Sequence, residues 1–351
     1  LLVREGNFGT RFSPEASASR YIFTHGSKEF FELFNKEDTD VLVHQTFEGE
    51  AIEPRFYVPN LPILLINGAE GVSSGFASKI LSRNPKKIKK YIQDYLKGSL
   101  RQNNSNSLEP YFGGFTGVVE PGENTGQWLI KGSVEKTGVN KVLISEVPVG
   151  YSLKGYLKIL DDLEDKKIIQ SYRDKSEDDN FLFDVSIPSK SLSEWDDNTL
   201  LEKLKLQKTV TENYTCTDEN NKIKIFKSVK DIIDYYIKIK LEYVQKRKDN
   251  QIQKFENDIR LDYSKYLFIK MIVSDELKIN KRKKEQIEKD LEKVPKILQR
   301  DGSWDYLLGM AISSLTKERM DKLELDIKTK KTLLDVLKKS SVEDIWLQEI
   351  Q

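Results

Sequence analysis

The sequence predicts an α+β chain of several domains ending in a long antiparallel pair of helices. Three observations predict it. At 351 residues, with 32% charged against 38% hydrophobic, the chain is too long and too wet for one compact globule, so two or three domains with real cores are expected. From Tyr111 to about residue 150, β-branched and aromatic residues alternate between glycine turns, which reads as antiparallel sheet. From Ser228 onward the apolar residues shift to helical spacing and hold it almost to the end.

Composition removes several classes of function. The formal net charge is +1, so a polyanion would have to be held by local basic patches and not by a global field. The single cysteine, Cys216, leaves no disulfide framework and no cysteine-rich zinc site. No apolar run approaches the roughly 20 residues needed to cross a bilayer, and the start is not signal-like, so a soluble, intracellular protein without membrane contact is expected. The opening at Leu1 reads as the middle of an element in a longer polypeptide.

Taken in order, LLVREGNFGTRFSPEASASRYIFTH sets a glycine-rich turn, Gly6 to Gly9, before a small-residue run and then Arg20-Tyr21. By itself an Arg-Tyr pair in a chain with 15 tyrosines is an ordinary aromatic beside a solvated arginine. A phenol titrates near 10, so a nucleophilic tyrosine needs a neighbouring cation, base or metal; Arg20 is the adjacent permanent cation. His25, four residues on, would share the face of Tyr21 on a continuous helix, and reads as a general base, a phosphate contact or a plain surface residue. Gly26 works against such a helix. His44 carries no functional argument. A short amphipathic helix capped near Ser27 and then a loop closed by Pro54 and Pro59 complete this part.

In LPILLINGAEGVSSGFASKI the run Ile63–Ile66 reads as a buried strand, and Gly68, Gly71 and Gly75 let backbone approach something closely. Neither a phosphate-binding G-x-x-x-x-G-K-[ST] nor a clean G-x-G-x-x-G follows. The next stretch gathers Lys79, Arg83, Lys86, Lys87, Lys89, Lys90 and Lys97 against the one acid Asp94. A helix starting at Asn84-Pro85 would turn Ile88, Tyr91, Ile92, Tyr95 and Leu96 inward and the lysines outward. That face is either simply solvated or built for phosphates.

RQNNSNSLEP is a polar linker. After the sheet region come an amphipathic helix in SLKGYLKILDDLEDKK, a strand in NFLFDVSIP and a helix in DNTLLEKLKLQ. A helix then opens with a Ser-x-x-Asp cap at Ser228; Ile237, Leu241 and Val244 keep a four-three step, Lys248 is polar at the next seam position, and Ile252, Phe255 and Ile259 resume it late, like a stutter. Its mate opens at Thr316 with Leu323, Ile327, Leu334 and Leu337 on one side. A Ser340–Glu343 capping box leads into a last helix with Ile345 and Trp346. The two long helices must run antiparallel if they pack together, with residues 262–315 as a helical knob.

GNFG followed by SASRY resembles the active-site tyrosine segment of the cleavage subunits of type II DNA topoisomerases, with the same spacing. EPRFYVPNLPILLINGAEGVSSGFAS is similar to that family's lead into a DNA-bending hairpin, and YVQKRKDNQI, YLLGM, SLTKER and VEDIWLQEI to its coiled-coil arms. SASRYIF and YVQKR look closest to the medium subunit of T-even-type bacteriophage topoisomerases. The resemblance implies a fold of three parts. Residues 1–66 would be the C-terminal part, or remnant, of a winged-helix DNA-cleavage domain, 67–227 an α/β tower domain, and 228–351 a coiled coil with a dimerisation knob near 262–315.

The resemblance also implies chemistry. Tyr21 would attack a backbone phosphorus, with Arg20 stabilising the phosphoryl charge, and Val72, between Gly71 and Ser73, would stand where the family carries an isoleucine that wedges between base pairs. Lys79, Arg83, Lys86 and Lys87 would contact phosphates. The implied partners are double-stranded DNA, a second copy of the chain joined through the coiled-coil end, and a separate subunit carrying the ATPase and metal sites; Mg²⁺ and ATP are both expected there and neither on this chain, in the cytoplasm (of the host, if viral). The competing reading is a non-catalytic dimeric DNA-bending protein, for which Val72, the lysine helix and the arms would suffice. Tyrosine recombinase chemistry needs a dispersed Arg/His set that two histidines supply poorly, and an isolated nuclease lacks metal-binding acids.

Overall fold

A computed structural model describes residues 1–100 and 108–351; most of the expected RQNNSNSLEP linker lies outside the described residues. The chain packs as two units, the first made of Leu1–Asn35, Phe56–Lys240 and Ile350, the second of Lys36–Arg55, Leu241–Glu349 and Gln351.

Strands β1 (Leu2–Glu5) and β2 (Phe23–Gly26) pair antiparallel and close a long loop between them. Ser27 then caps α1 (Lys28–Leu33) by accepting from the Phe30 amide at 3.2 Å. In the second unit, the expected loop before Pro54 is instead a hairpin of β3 (His44–Phe47) and β4 (Glu50–Pro54) turned at Glu48-Gly49, both with positive φ. Back in the first unit, Ile63–Ile66 is helical and not a strand: α2 spans Ile63–Asn67. Pro62 before it and Gly68 after it, at φ 72°, are start and stop signals that a four-residue apolar run by itself does not reveal.

Strands β5 (Ala69–Ser73) and β6 (Phe76–Ile80) make a hairpin with Ser74-Gly75 at its tip. Asn84 caps α3 (Pro85–Leu96) as expected, with Ile88, Tyr91 and Ile92 buried. Next come β7 (Val118–Pro121), β8 (Gln127–Lys131), β9 (Ser133–Gly138) and β10 (Lys141–Glu146), then α4 (Leu153–Asp165), β11 (Ser171–Asp174) and β12 (Phe183–Ser186). After α5 (Ser189–Glu194) and α6 (Asp197–Lys203), strand β13 (Gln207–Thr211) and the small hairpin β14 (Thr215–Thr217) and β15 (Ile223–Ile225) lead into α7 (Val229–Val273).

The expected single sheet is two sheets, ordered β11-β12-β10-β9 and β13-β8-β7. The break falls at Gly132, between β8 and β9. Its amide donates to the Leu206 carbonyl at 2.8 Å, and a Cβ there would stand 2.2 Å from the Glu146 carbonyl oxygen, so no other residue lets the chain pass between the sheets. A core of this unit joins Val142, Ile144, Phe183 and Val185 of the four-stranded sheet to Tyr156, Leu160 and Leu163 of α4 and Leu200 of α6.

In the second unit α7 lies beside α10 (Lys317–Lys339), which Thr316 caps at the Arg319 amide. Lys330 meets Asp262, Lys338 meets Glu256, and Lys248 donates to the Ser340 carbonyl at 2.7 Å. Partners climb one helix as they descend the other, so the pair is antiparallel. The polar seam residue Lys248 thus caps the end of α10, and its neighbour Arg247, buried, pairs with Asp38 and Glu349. Helices α8 (Lys284–Glu292) and α9 (Asp305–Leu308) pack with Phe268 of α7 and Trp304 into a separate core. The last helix, α11 (Val342–Glu349), is capped by Ser341 and Asp344, one residue after the expected box, and buries Trp346.

Candidate functional site

Tyr21 ends a single 3₁₀ turn, Ser19–Tyr21, closed by its own amide on the Ala18 carbonyl at 2.9 Å. Its ring is 63% exposed, with the Arg20 guanidinium 4.8 Å from the ring centroid. The glycine turn builds this placement. Gly6 has φ 101°, and a Cβ there would meet the Tyr21 carbonyl oxygen at 2.9 Å. Gly9 has φ 74° and passes as closely over Pro14. Between them Asn7 ties the loop: its side chain accepts from the Gly9 amide at 2.8 Å, and its carbonyl accepts from the Ser17 amide at 2.9 Å.

The loop is anchored by residues the sequence reading did not single out. Arg11 forks onto Glu146, with one contact at 3.2 Å, and donates to the Val147 carbonyl at 2.7 Å. Its guanidinium also lies 4.9 Å from the Phe181 ring and 5.4 Å from Phe115. Glu146 accepts further from the Thr116 amide and hydroxyl and from the Val147 amide. Burial by itself pushes its carboxyl up, but the hydrogen bonds from Arg11, Thr116 and Val147 together outweigh that and hold it below the usual carboxylate range. An arginine straight after a glycine turn, flanked by Phe8 and Phe12, was the available signal; its partner 135 residues away was not.

His25 does not stack on Tyr21, because β2 and not a helix follows the turn. Its Nδ1 is 3.2 Å from the exposed Glu5 carboxylate. His44 sits between the Ile52 and Thr39 carbonyls at 2.7 and 3.0 Å, which raise its pKa in that order.

The second group of candidates lies on β5–β6. Val72 is 89% exposed near the tip, and nothing lies within 4 Å of a Cβ built on Gly71 or Gly75. Ser73 is exposed where the strand enters the turn. Lys79 pairs with Glu70 at 2.8 Å across the hairpin. On α3, Lys86 is exposed and Lys87 pairs with Glu109 at 2.8 Å. Arg83 corrects the expectation of a surface contact. Its side chain is 1% exposed and forks onto Glu212, so it is a buried structural cation and not part of the lysine face.

Among the described residues no cluster of His, Cys, Asp and Glu could hold a metal ion. The acids flanking Tyr21 in sequence do not converge on it: Glu5 engages His25, and the Glu15 backbone serves Asn7. These residues do not fit a magnesium site.

The whole chain, residues 1–351, matches the family model for the A subunit of DNA gyrase/topoisomerase IV. The chain belongs to that family. Among its topoisomerase relatives, the DNA topoisomerase medium subunit of Enterobacteria phage T4 is 31% identical over all of this chain and 78% of its own length. The mitochondrial DNA topoisomerase 2 of Dictyostelium discoideum is 30% identical, again over the whole chain, which spans only 28% of that protein. The DNA-binding, cleavage and re-ligation domain of Plasmodium falciparum topoisomerase II superposes with a TM-score of 0.81 at 30% identity, covering 99% of this chain and 51% of that one. The chain therefore spans about a quarter of the Dictyostelium relative and most of the phage one.

Proposed function

We propose that this chain is the DNA-cleavage and religation part of a type II topoisomerase, with Tyr21 as nucleophile. The observation that carries it is an exposed tyrosine on a turn that Gly6 and Asn7 hold open, with a guanidinium on its ring. The Tyr21 oxygen bonds a backbone phosphorus as the bond from phosphorus to the 3′ oxygen breaks. The proton passes from the phenol to the departing 3′ hydroxyl by way of solvent. A phosphodiester is exchanged for a phosphotyrosyl ester, so the 3′ hydroxyl can reverse the step without external energy. Arg20 faces the charge that builds on the phosphoryl oxygens. Two protomers, each cutting one strand, make a transient double-strand break.

On this reading, residues 1–66 carry the end of a winged-helix cleavage domain, 67–227 a tower that flanks DNA, and 228–351 a coiled coil whose knob joins two copies. Val72, with Gly71 and Ser73 leaving the approach clear, wedges a base step, while Lys79, Lys86 and Lys87 hold phosphates. Mg²⁺ and ATP belong to a partner subunit that works on the same DNA, in the cytoplasm of the cell or of the host. The reading as a non-catalytic bending protein finds no support among relatives that are topoisomerases.

The test is covalent trapping. With partner subunit, Mg²⁺ and end-labelled duplex, a detergent quench is expected to leave label on the wild-type chain and none on Tyr21→Phe, with DNA binding retained. Label persisting on Tyr21→Phe would sink the assignment.

A further inference from the structure

Among the described residues nothing lies within 4 Å of a Cβ built on Gly71 or Gly75 near the tip of the β5–β6 hairpin, and a two-stranded ribbon by itself is marginal in water. A tip that is to press into a base stack therefore has to be braced at its root. The bracing converges on one side chain. Glu212, between β13 and β14, has a fully buried carboxylate. It accepts from the Leu81 amide at 2.7 Å, from Arg83 at 2.6 and 3.0 Å, from Trp128 Nε1 at 2.8 Å and from the Tyr214 hydroxyl at 2.9 Å. A carboxylate offers about four lone-pair sites, so this one is saturated.

Two of these donors, Leu81 and Arg83, lie on the chain that leaves the hairpin, while Trp128 and Tyr214 hold the Glu212 carboxylate in place. Leu81 is the residue after β6, and Arg83 also donates to the Leu81 and Leu108 carbonyls, both at 2.6 Å. Next to Glu212, Asn213 exchanges two backbone bonds with Lys79, at 2.9 and 2.8 Å, so the end of β6 is held to the β13–β14 corner by main chain as well. On the entering side, a Cβ on Gly68 would stand 2.7 Å from the Ile80 carbonyl oxygen, which fixes how closely the two strands meet at the root. The tip carries none of this.

A buried ion pair is weak evidence for stability and stronger evidence for a required geometry. Burial, then the Glu212 charge, push the Tyr214 hydroxyl up to about 12, so it keeps its proton and goes on donating to Glu212 across the working range.

We propose that Glu212 is a positioning residue for DNA deformation: without touching DNA, it sets the direction in which the β5–β6 hairpin presents Val72 to a duplex. This rests on the wedge reading of Val72. The brace is absent from the binding surface, so its loss acts on the shape of bound DNA and not on the holding of phosphates.

The experiment uses the full chain with a short duplex labelled at both ends for energy transfer, reading bent fraction at saturating protein, affinity and melting temperature together. Val72→Ala and Glu212→Gln are each expected to lower the bent fraction about threefold while affinity stays within about twofold. Tyr214→Phe, which removes one donor and keeps the ring, is expected to give a smaller loss with the melt unchanged. If Val72→Ala unbends the DNA while Glu212→Gln and Tyr214→Phe bend it like wild type, the wedge stands and the positioning role is overturned. If Val72→Ala bends normally, the wedge reading falls and takes this inference with it. Bending, affinity and melt falling in step in Glu212→Gln, with Tyr214→Phe silent, would reduce Glu212 to a fold-holding role and overturn the proposal.

Discussion

Single residues decide where Tyr21 stands. Gly6 and Asn7 shape its turn locally, and their motif is visible in four letters of sequence. Arg11 and Glu146 hold the same loop from far along the chain, and no spacing rule reveals that pair. Removing Arg11 leaves Glu146 charged, largely buried and short of its main partner, so Arg11→Ala should cost about 2–4 kcal/mol in urea unfolding and speed amide exchange at Ser17 and Tyr21. The pair also sets an acid limit. The Glu146 carboxyl is held below its unfolded value near 4.5, so its contribution is complete above that pH and is lost as pH falls through the lowered folded value; the Arg11→Ala chain should show less of this acid-side loss. His44 runs the other way. Its folded pKa is raised, so its bonds to Ile52 and Thr39 stabilise fully below about 6.5 and weaken as pH climbs through the folded value. Protection of the β3–β4 amides, corrected for the intrinsic base-catalysed rise in exchange, should therefore fall from pH 6 toward 8, and His44→Phe should flatten that profile.

At the scale of elements, legibility follows the range of the cause. Ser27, Asn84, Ser228 and Thr316 announce their helices because a cap acts on an amide two or three residues away. Thr316→Ala and Ser341→Ala should each cost about 1 kcal/mol in chemical denaturation and fray only the helix they start. Ile63–Ile66 looks like a strand because a short apolar run has no period of its own; the flanking Pro62 and Gly68 carry the answer. Arg83 looks like one more surface cation because it sits in a basic run, and only Glu212, 129 residues away, turns it inward. Lys248 is the reverse case. An apparent fault in a helical seam proves to be the cap for the end of α10.

For the whole molecule, two cores matter more than any one element. The cluster around Ile144, Tyr156 and Phe183 belongs to one unit, and that around Phe268, Leu291 and Trp304 to the other. Separate cores predict unfolding that is not all-or-none. Scanning calorimetry should give a van't Hoff enthalpy below the calorimetric one, or two resolved transitions; a single transition with equal enthalpies would show that the units unfold together. Sequence texture pointed to more than one unit but gave no sign that residues 36–55 join a unit whose remaining residues begin at Leu241. Adjacency in the chain is a poor guide where a short segment joins another unit.

The anchoring of the Tyr21 loop also sets an order of events during synthesis. Translation proceeds at about 5–20 residues per second, so the tyrosine leaves the ribosome roughly 10 s before Glu146 exists to receive Arg11. Until β10 forms, the tyrosine loop has its local ties but lacks its anchor on Glu146. On the proposed reading of Tyr21, the newborn polypeptide thus acquires its reactive hydroxyl early but its aim late, because Arg11 has to wait for Glu146.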